Sequence, residues 1–386
     1  MKEQIKTIQL LSSLLENHSI PYTFVEESAL VLQGMSIPLK KIDVLTQWDV
    51  FSKCQELFVD YPCSPVNHSP MSETFEVQFQ GVHVYVSCIF NTTIKTDPYR
   101  ISVNNIWCKS LYSYIYGNDF SKYKEDIVAF LLQKQQTYTK HNEQAWNQNN
   151  YQALIERYGE PAKVAEKIKQ NPEWRLHPFY KYMNDLKGKK VIHLLGSNGV
   201  KGTALALLGA DVTVVDFSQE NAMFANEVAN AADVSLNYVV SDVFAVNEEH
   251  QFDYVLMELG VLHYFITLEP LMKLVSKLLV PGGKFVLHEF HPISTKLITS
   301  TGKKHKVAGD YFNPTLTYNT VAFSKHMPEG VQEELMQTVQ RKWTMGELIT
   351  AVATSGLQIE VLEEEPNHKL HDIGLPKTFT LVATAR

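Results

Sequence analysis

The stretch HLLGSNGVKG, residues 193–202, decides the fold. An apolar run, Val191–Leu195, enters a turn with glycines at 196, 199 and 202, and Gly202 to Leu208 then reads as a helix. Glycines at this spacing permit a tight turn and close backbone approach to a ligand. Backbone N–H groups at the start of the following helix can receive an anionic group. An ordinary strand-to-helix connection has the same look, so the neighbouring segments must choose between the two.

Downstream, ADVTVVDFS (210–218) places Asp216 at the carboxyl end of the next apolar strand, 17 residues after Gly199. LNYVVSDVF (236–244) does the same with Asp242. FDYVLMELGVLHYF (252–265) reads as a fourth strand, and LLVPGGKFVLHEFHP (278–292) as a turn and a fifth. Short apolar strands alternating with helices are the signature of a doubly wound parallel α/β sheet, which binds its ligand at the carboxyl ends of the strands. There Asp216 can accept hydrogen bonds from both ribose hydroxyls of an adenosine, and Asp242 can meet the adenine amino group.

This order of glycine turn, strand-end acid, second acid, ELGVLHY and PGG resembles the class I S-adenosylmethionine (SAM) methyltransferases over roughly residues 140–386. The resemblance implies a Rossmann-like, seven-stranded sheet. TFTLVATAR (378–386) would be its last, antiparallel strand, and WTMGELITAVATSGLQIEVLEEEP (343–366) a helix and the sixth strand. It implies SAM as cofactor, held by Leu195, Gly196, Ser197, Asn198 and Gly199 of the turn, by Asp216, Phe217 and Ser218, by Asp242 and Val243, and by Glu258 and Leu259. The turn departs from the family pattern. His193 stands in the acid's place, Leu195 and Ser197 stand in the first two glycine places, and only Gly199 matches. The segment KHNEQAW (140–146) would lay a helix across the cofactor, with His141 and Trp146 as contacts.

Other cofactor readings fit less well. A nicotinamide dehydrogenase wants GxGxxG, whereas GSNGVKG is GxxGxxG. A DNA amino-methyltransferase would carry an acidic or Asn–Pro–Pro–aromatic tetrad where this chain has ELGV. A non-catalytic SAM-binding regulator stays open because of the irregular turn. Methylation of RNA or protein, with the first half as recognition module, stays open as well.

Methyl transfer from a sulfonium mainly requires nucleophile, methyl and sulfur to be held in line in a dry pocket, with a base only where the acceptor sheds a proton. The catalytic candidates are His291, His263 and Tyr264, all at or beyond strand ends. Alternation puts His288 and Phe290 on one face and Glu289 with His291 on the other, which separates the HEFH groups and argues against a metal site. An insertion over about 293–342 is expected to form a substrate lid, with Tyr311, Phe312, Tyr318 and Phe323 as pocket aromatics.

Composition limits the partners. Apolar content of 45% and charged content of 20% suit a soluble globular protein. A formal net charge of −7 and the lack of a Lys/Arg run disfavour nucleic acid and anionic membrane as targets, and a small-molecule substrate is expected. No apolar run is long enough to span a bilayer, and the N-terminus lacks a signal peptide's apolar core, so a cytoplasmic location is expected. Cys54, Cys63, Cys88 and Cys108 show no CxxC spacing and read as free thiols. The oligomeric state is left open, a homodimer being compatible.

The first part, 1–135, reads as an α+β domain, with strands over 22–25, 42–46, 75–79 and 82–89 and an amphipathic helix over 122–135 that closes it; the polar stretch QQTYTKHNEQAWNQNN (135–150) reads as the boundary to a second domain, 136–386. SALVLQGMSIPLKKIDVLT (28–46) resembles the nucleotidyltransferase fold, in which a small-residue turn precedes a strand with two aspartates, two apart, that hold magnesium. Lys41 takes the first acid's place, only Asp43 remains, and the later strand GVHVYVSCIF (81–90) has no acid. The resemblance therefore implies an inactive module.

Overall fold

The computed structural model describes residues 2–117, 122–183, 185–301, 304–367 and 374–386. The chain divides into two compact units, residues 1–130 with 312–315, and residues 131–311 with 316–386.

The first unit is a seven-stranded mixed sheet with helices Lys2–Asn17, Glu26–Leu32 and Phe51–Glu56. Its centre is Ile42–Thr46, parallel to Val82–Ile89 and antiparallel to Tyr22–Phe24. In Ser72–Phe79 and Val82–Ile89 alternate residues are buried, so Phe75, Val77, Val84 and Val86 meet Phe51 and Phe58 in one core. The chain DPYR (97–100) turns into the edge strand Arg100–Val103.

The second unit is built on strands β1 (Lys190–Leu194), β2 (Asp211–Asp216), β3 (Asn237–Val240), β4 (Phe252–Glu258), β5 (Leu279–Phe290), β6 (Leu357–Pro366) and β7 (Pro376–Ala385), in the order β3-β2-β1-β4-β5-β7-β6. The first five run parallel, and β7 lies antiparallel between β5 and β6. This is the expected Rossmann-like seven-stranded mixed sheet. The Pro281–Gly283 turn is absorbed into β5 as an irregularity, since Leu279 pairs with Phe252 and the ladder resumes only at Lys284 with Tyr254. Order is reversed on either side of β1 and β4, which leaves a crevice at their carboxyl ends.

Through most of the polar stretch 135–150 runs one helix, Lys124–Trp146, and the division into units falls inside that helix. Two of its polar residues, Gln135 and Asn142, are buried within the second unit, where their amides serve backbone groups that lack other partners. Gln135 accepts from the Ile266 N–H at 2.7 Å and donates to the Tyr264 carbonyl at 2.8 Å, and Asn142 exchanges both bonds with Val339. The insertion contains two antiparallel strand pairs, Ile298–Thr301 with Lys304–Val307 and Leu316–Asn319 with Thr338–Arg341. Phe312 and Tyr318 are more than half exposed, and the Tyr311 hydroxyl accepts the Met345 N–H, so of the four aromatics only Phe323 lines the crevice.

Candidate functional site

At the carboxyl ends of β1, β2 and β4 lies a cavity of about 670 Å³. One wall is the turn after β1. Leu195 and Ser197, the two positions where the family pattern has glycine, adopt φ +51° and +46°. The backbone thus keeps a left-handed turn geometry without glycine there, at a cost of about 1–2 kcal/mol per residue. Gly196 and Gly199 are retained for space. A Cβ on Gly196 would lie 2.6 Å from Val214 Cγ1, and one on Gly199 would lie 2.4 Å from Ala225 Cβ. Leu195, Gly196, Ser197 and Asn198 face the cavity, whereas Gly199 (φ +68°) starts the helix Val200–Leu207 and is not part of the wall.

Asp216 closes β2 and lines the cavity. Its Oδ1 accepts from the Ser218 N–H at 2.9 Å and from Asn221 Nδ2 at 3.2 Å, and its Oδ2 accepts from the Ser197 N–H at 3.1 Å. Oδ2 keeps a second lone pair for a ligand hydroxyl. Burial raises the Asp216 carboxyl above its ordinary range, against these three donors. Phe217 faces the cavity too, but Ser218 does not. Its fully buried hydroxyl accepts the Asn221 N–H and donates to Asn147 Oδ1, capping the helix Gln219–Ala231. Asp242 and Val243 line a small adjoining pocket, which shares Leu195, Asp216, Phe217 and Tyr264 with the main cavity.

Glu258 and Leu259 end β4 on the cavity wall, with Leu259 at φ +42°. Glu258 lies 3.4 Å from Lys201 Nζ and 4.0 Å from His193 Nε2. His193, in the acid's place, is 1% exposed with neither ring nitrogen hydrogen-bonded, and burial lowers it to about 4. It is therefore neutral at pH 7.

His263 and Tyr264 face the cavity. Burial pushes the Tyr264 phenol up to about 12, so it is a donor and not a base near neutrality. Burial lowers His263, and its buried Nδ1 has no hydrogen-bond partner. Trp146, Tyr264 and Phe323 form an edge-to-face wall, with Trp146 6.1 Å from Tyr264 and 5.9 Å from Phe323. His141 points elsewhere, bonding the Gln337 carbonyl at 2.7 Å.

His291 is not where the sequence pattern put it. It is 3% exposed and absent from the cavity wall. Its Nε2 lies 2.6 Å from Glu364, and its Nδ1 accepts the Ile293 N–H at 3.1 Å. With Nδ1 an acceptor, Nε2 carries the proton and donates to Glu364, so neither nitrogen is available as a base. Its neighbour Glu289, overlooked in the sequence, accepts the N–H groups of Gly260, Val261 and Leu262 and fixes the loop that carries His263. Lys201, Trp174 and Arg175 also line the cavity unforeseen.

Residues 195–287 match the family model described as a methyltransferase domain. No curated protein matches the chain. Among solved structures, an S-adenosylmethionine dependent methyltransferase from Listeria monocytogenes is 21% identical, with 56% of this chain and 98% of that chain covered at a TM-score of 0.45. One from Mesorhizobium loti is 20% identical, with 55% and 97% covered at 0.44. The magnesium protoporphyrin IX methyltransferase from Synechocystis with bound SAH is 15% identical, with 64% and 100% covered at 0.41. The second unit of this chain is thus similar, over residues 195–287, to a methyltransferase domain.

Proposed function

We propose that the second unit transfers a methyl group from SAM to a small-molecule acceptor held in the cavity beside the β1 turn. The observation that carries this reading is the cavity itself: about 670 Å³, within the usual range for small ligands, concave, and walled by Trp146, Tyr264 and Phe323. The residues present fit the cofactor. Asp216 has acceptor capacity left on Oδ2 for a ribose hydroxyl, Asp242 stands in the adjoining pocket for the adenine edge, and the buried Ser197 hydroxyl on the cavity wall lacks a protein partner.

When bound, SAM supplies an electrophilic methyl on a sulfonium. The chain's own part is positional: the turn and Asp216 fix one reactant, the aromatic wall excludes water, and the loop held by Glu289 presents His263. His263 Nδ1 takes a proton where the acceptor must lose one. The first unit serves as a nucleotidyltransferase-like recognition or assembly module without that fold's metal chemistry. Its remaining acid, Asp43, is buried and paired with Lys41 at 2.5 Å.

A screen of metabolite extracts with isotope-labelled SAM, read by mass spectrometry, tests the reading. Label in a small molecule is the expected outcome. Label confined to tRNA or protein would refute it.

A further inference from the structure

Four charged side chains that line the cavity are Asp216, Glu258, Lys201 and Arg175, and three of them have partners. Asp216 accepts three N–H donors, and Glu258 pairs with Lys201 at 3.4 Å. Arg175 has no carboxylate within 4.0 Å among the described residues, and its Nε is buried without a hydrogen-bond partner. Its backbone is nonetheless tied down. The Arg175 carbonyl accepts from Lys201 Nζ, which links the short helix Pro172–Arg175 to the helix Val200–Leu207. Asn171 caps the same short helix by accepting the Trp174 N–H at 3.0 Å. The guanidinium carbon lies 5.2 Å from the Trp174 ring, and that ring is 65% exposed and also on the cavity wall.

A held backbone, an unpaired guanidinium and an adjacent aromatic plane together make a recognition element. A guanidinium presents a rigid fork of N–H donors that matches an oxyanion bidentately, and it stays charged at any working pH. Desolvating it without a counter-charge is costly, so it contributes most when an anion fills the fork. Tyr158 and Phe323, in edge-to-face contact at 6.0 Å, supply apolar surface on the cavity wall.

We propose that the methyl acceptor is an anionic small molecule with an apolar body, and that Arg175, backed by Trp174, recognises its carboxylate or phosphate. This rests on the methyltransferase reading above and narrows its substrate class.

The test uses the full chain and a metabolite extract split at neutral pH on a strong anion exchanger. With labelled SAM, acceptor activity is expected in the retained fraction. Arg175→Met should lower transfer into that fraction at least 10-fold, and Arg175→Lys should restore part of it, as charge without the fork. Calorimetry supplies the second arm. Arg175→Met should bind S-adenosylhomocysteine and 5′-methylthioadenosine, which lacks the amino-acid carboxylate, within about 2-fold of wild type. Acceptor activity in the unretained fraction would overturn the proposal. So would an Arg175→Met variant that loses S-adenosylhomocysteine affinity but keeps that for 5′-methylthioadenosine, because the guanidinium would then serve the cofactor's carboxylate. Transfer into neither fraction, or no S-adenosylhomocysteine binding by wild type, would remove the methyltransferase reading and this inference with it.

Discussion

Asp216 Oδ2 accepts the Ser197 N–H at 3.1 Å, joining the acid at the end of β2 to the turn at the end of β1. One carboxylate thus shapes the turn and, in the proposed cofactor site, is the group that would meet the ribose. Asp216→Ala should weaken S-adenosylhomocysteine binding by about 1.5–3 kcal/mol, the worth of hydrogen bonds to a charged group. It should also lower stability by about 1–3 kcal/mol, because three N–H donors lose their acceptor. Calorimetry and a urea titration on the same variant separate the two effects. Unchanged affinity would remove Asp216 from the cofactor site.

The turn offers a contrast between neighbouring positions. Ser197 holds φ +46° with a side chain, so Ser197→Gly should relieve strain and leave stability level or raise it by up to about 1 kcal/mol, after the entropy of the freer unfolded chain. Gly199→Ala should do the reverse and cost about 3 kcal/mol, since its Cβ would meet Ala225 at 2.4 Å on backbone at φ +68°. Denaturant midpoints of the two variants should move in opposite directions or differ by at least that margin. Equal effects would show that the turn is looser than described.

In the first unit Asp43 Oδ1 lies 2.5 Å from Lys41 Nζ, and the Lys41 ammonium lies 4.4 Å from the Tyr85 ring. A carboxylate already neutralised by a lysine cannot assemble a pair of magnesium ions for phosphoryl transfer. The protein should release no pyrophosphate from any nucleoside triphosphate with magnesium. Release that vanishes in Asp43→Asn would contradict this.

The parts of the site that were legible in the sequence are local. Apolar runs ending in Asp216, Asp242 and Glu258 fix strand, sheet face and carboxyl end together, because alternation and strand length are short-range properties. What was hidden depends on distant partners. His291 and Glu289 share a face by alternation, yet one finds Glu364 across 73 residues while the other caps a loop 27 to 29 residues earlier. No pattern in HEFHP separates these fates. Helix was legible over 122–135 and again over 140–146; that one helix, Lys124–Trp146, joins the two was hidden, because part of its buried face consists of amides whose backbone partners are distant in sequence.

His193 makes stability depend on pH. Burial lowers its folded-state pKa to about 4 from an ordinary 6.5. The stability contribution of a depressed group is fully present above the unfolded value and is lost as pH falls from about 6.5 towards 4, by on the order of 3 kcal/mol. Burial lowers His288 to about 4 as well, adding to the loss. His193→Leu removes two ring nitrogens without partners, so it should be at least as stable as wild type at pH 7 and lose less on acidification. Urea midpoints at pH 7 and pH 5 test this, and an identical pH dependence in the variant would refute it.

The last prediction separates two histidines near the ends of β4 and β5. His291 spends both nitrogens on Glu364 and Ile293, so His291→Ala should cost about 1–2 kcal/mol of stability and change turnover by less than about 3-fold. His263 lies on the cavity wall, neutral, with Nδ1 unpartnered, so His263→Ala should lower turnover about 10²-fold, the lower range for loss of a general base. Affinity for S-adenosylhomocysteine should stay close to wild type in both variants, because neither ring lies on the β1 turn or at the end of β2. The rate of the His263 variant should also recover partly at higher pH, where solvent hydroxide replaces the missing acceptor. If both variants turn over normally, proton removal is left to solvent and the site acts by position alone. A large loss in His291→Ala with stability intact would instead return the base to β5 and require Glu364 to move.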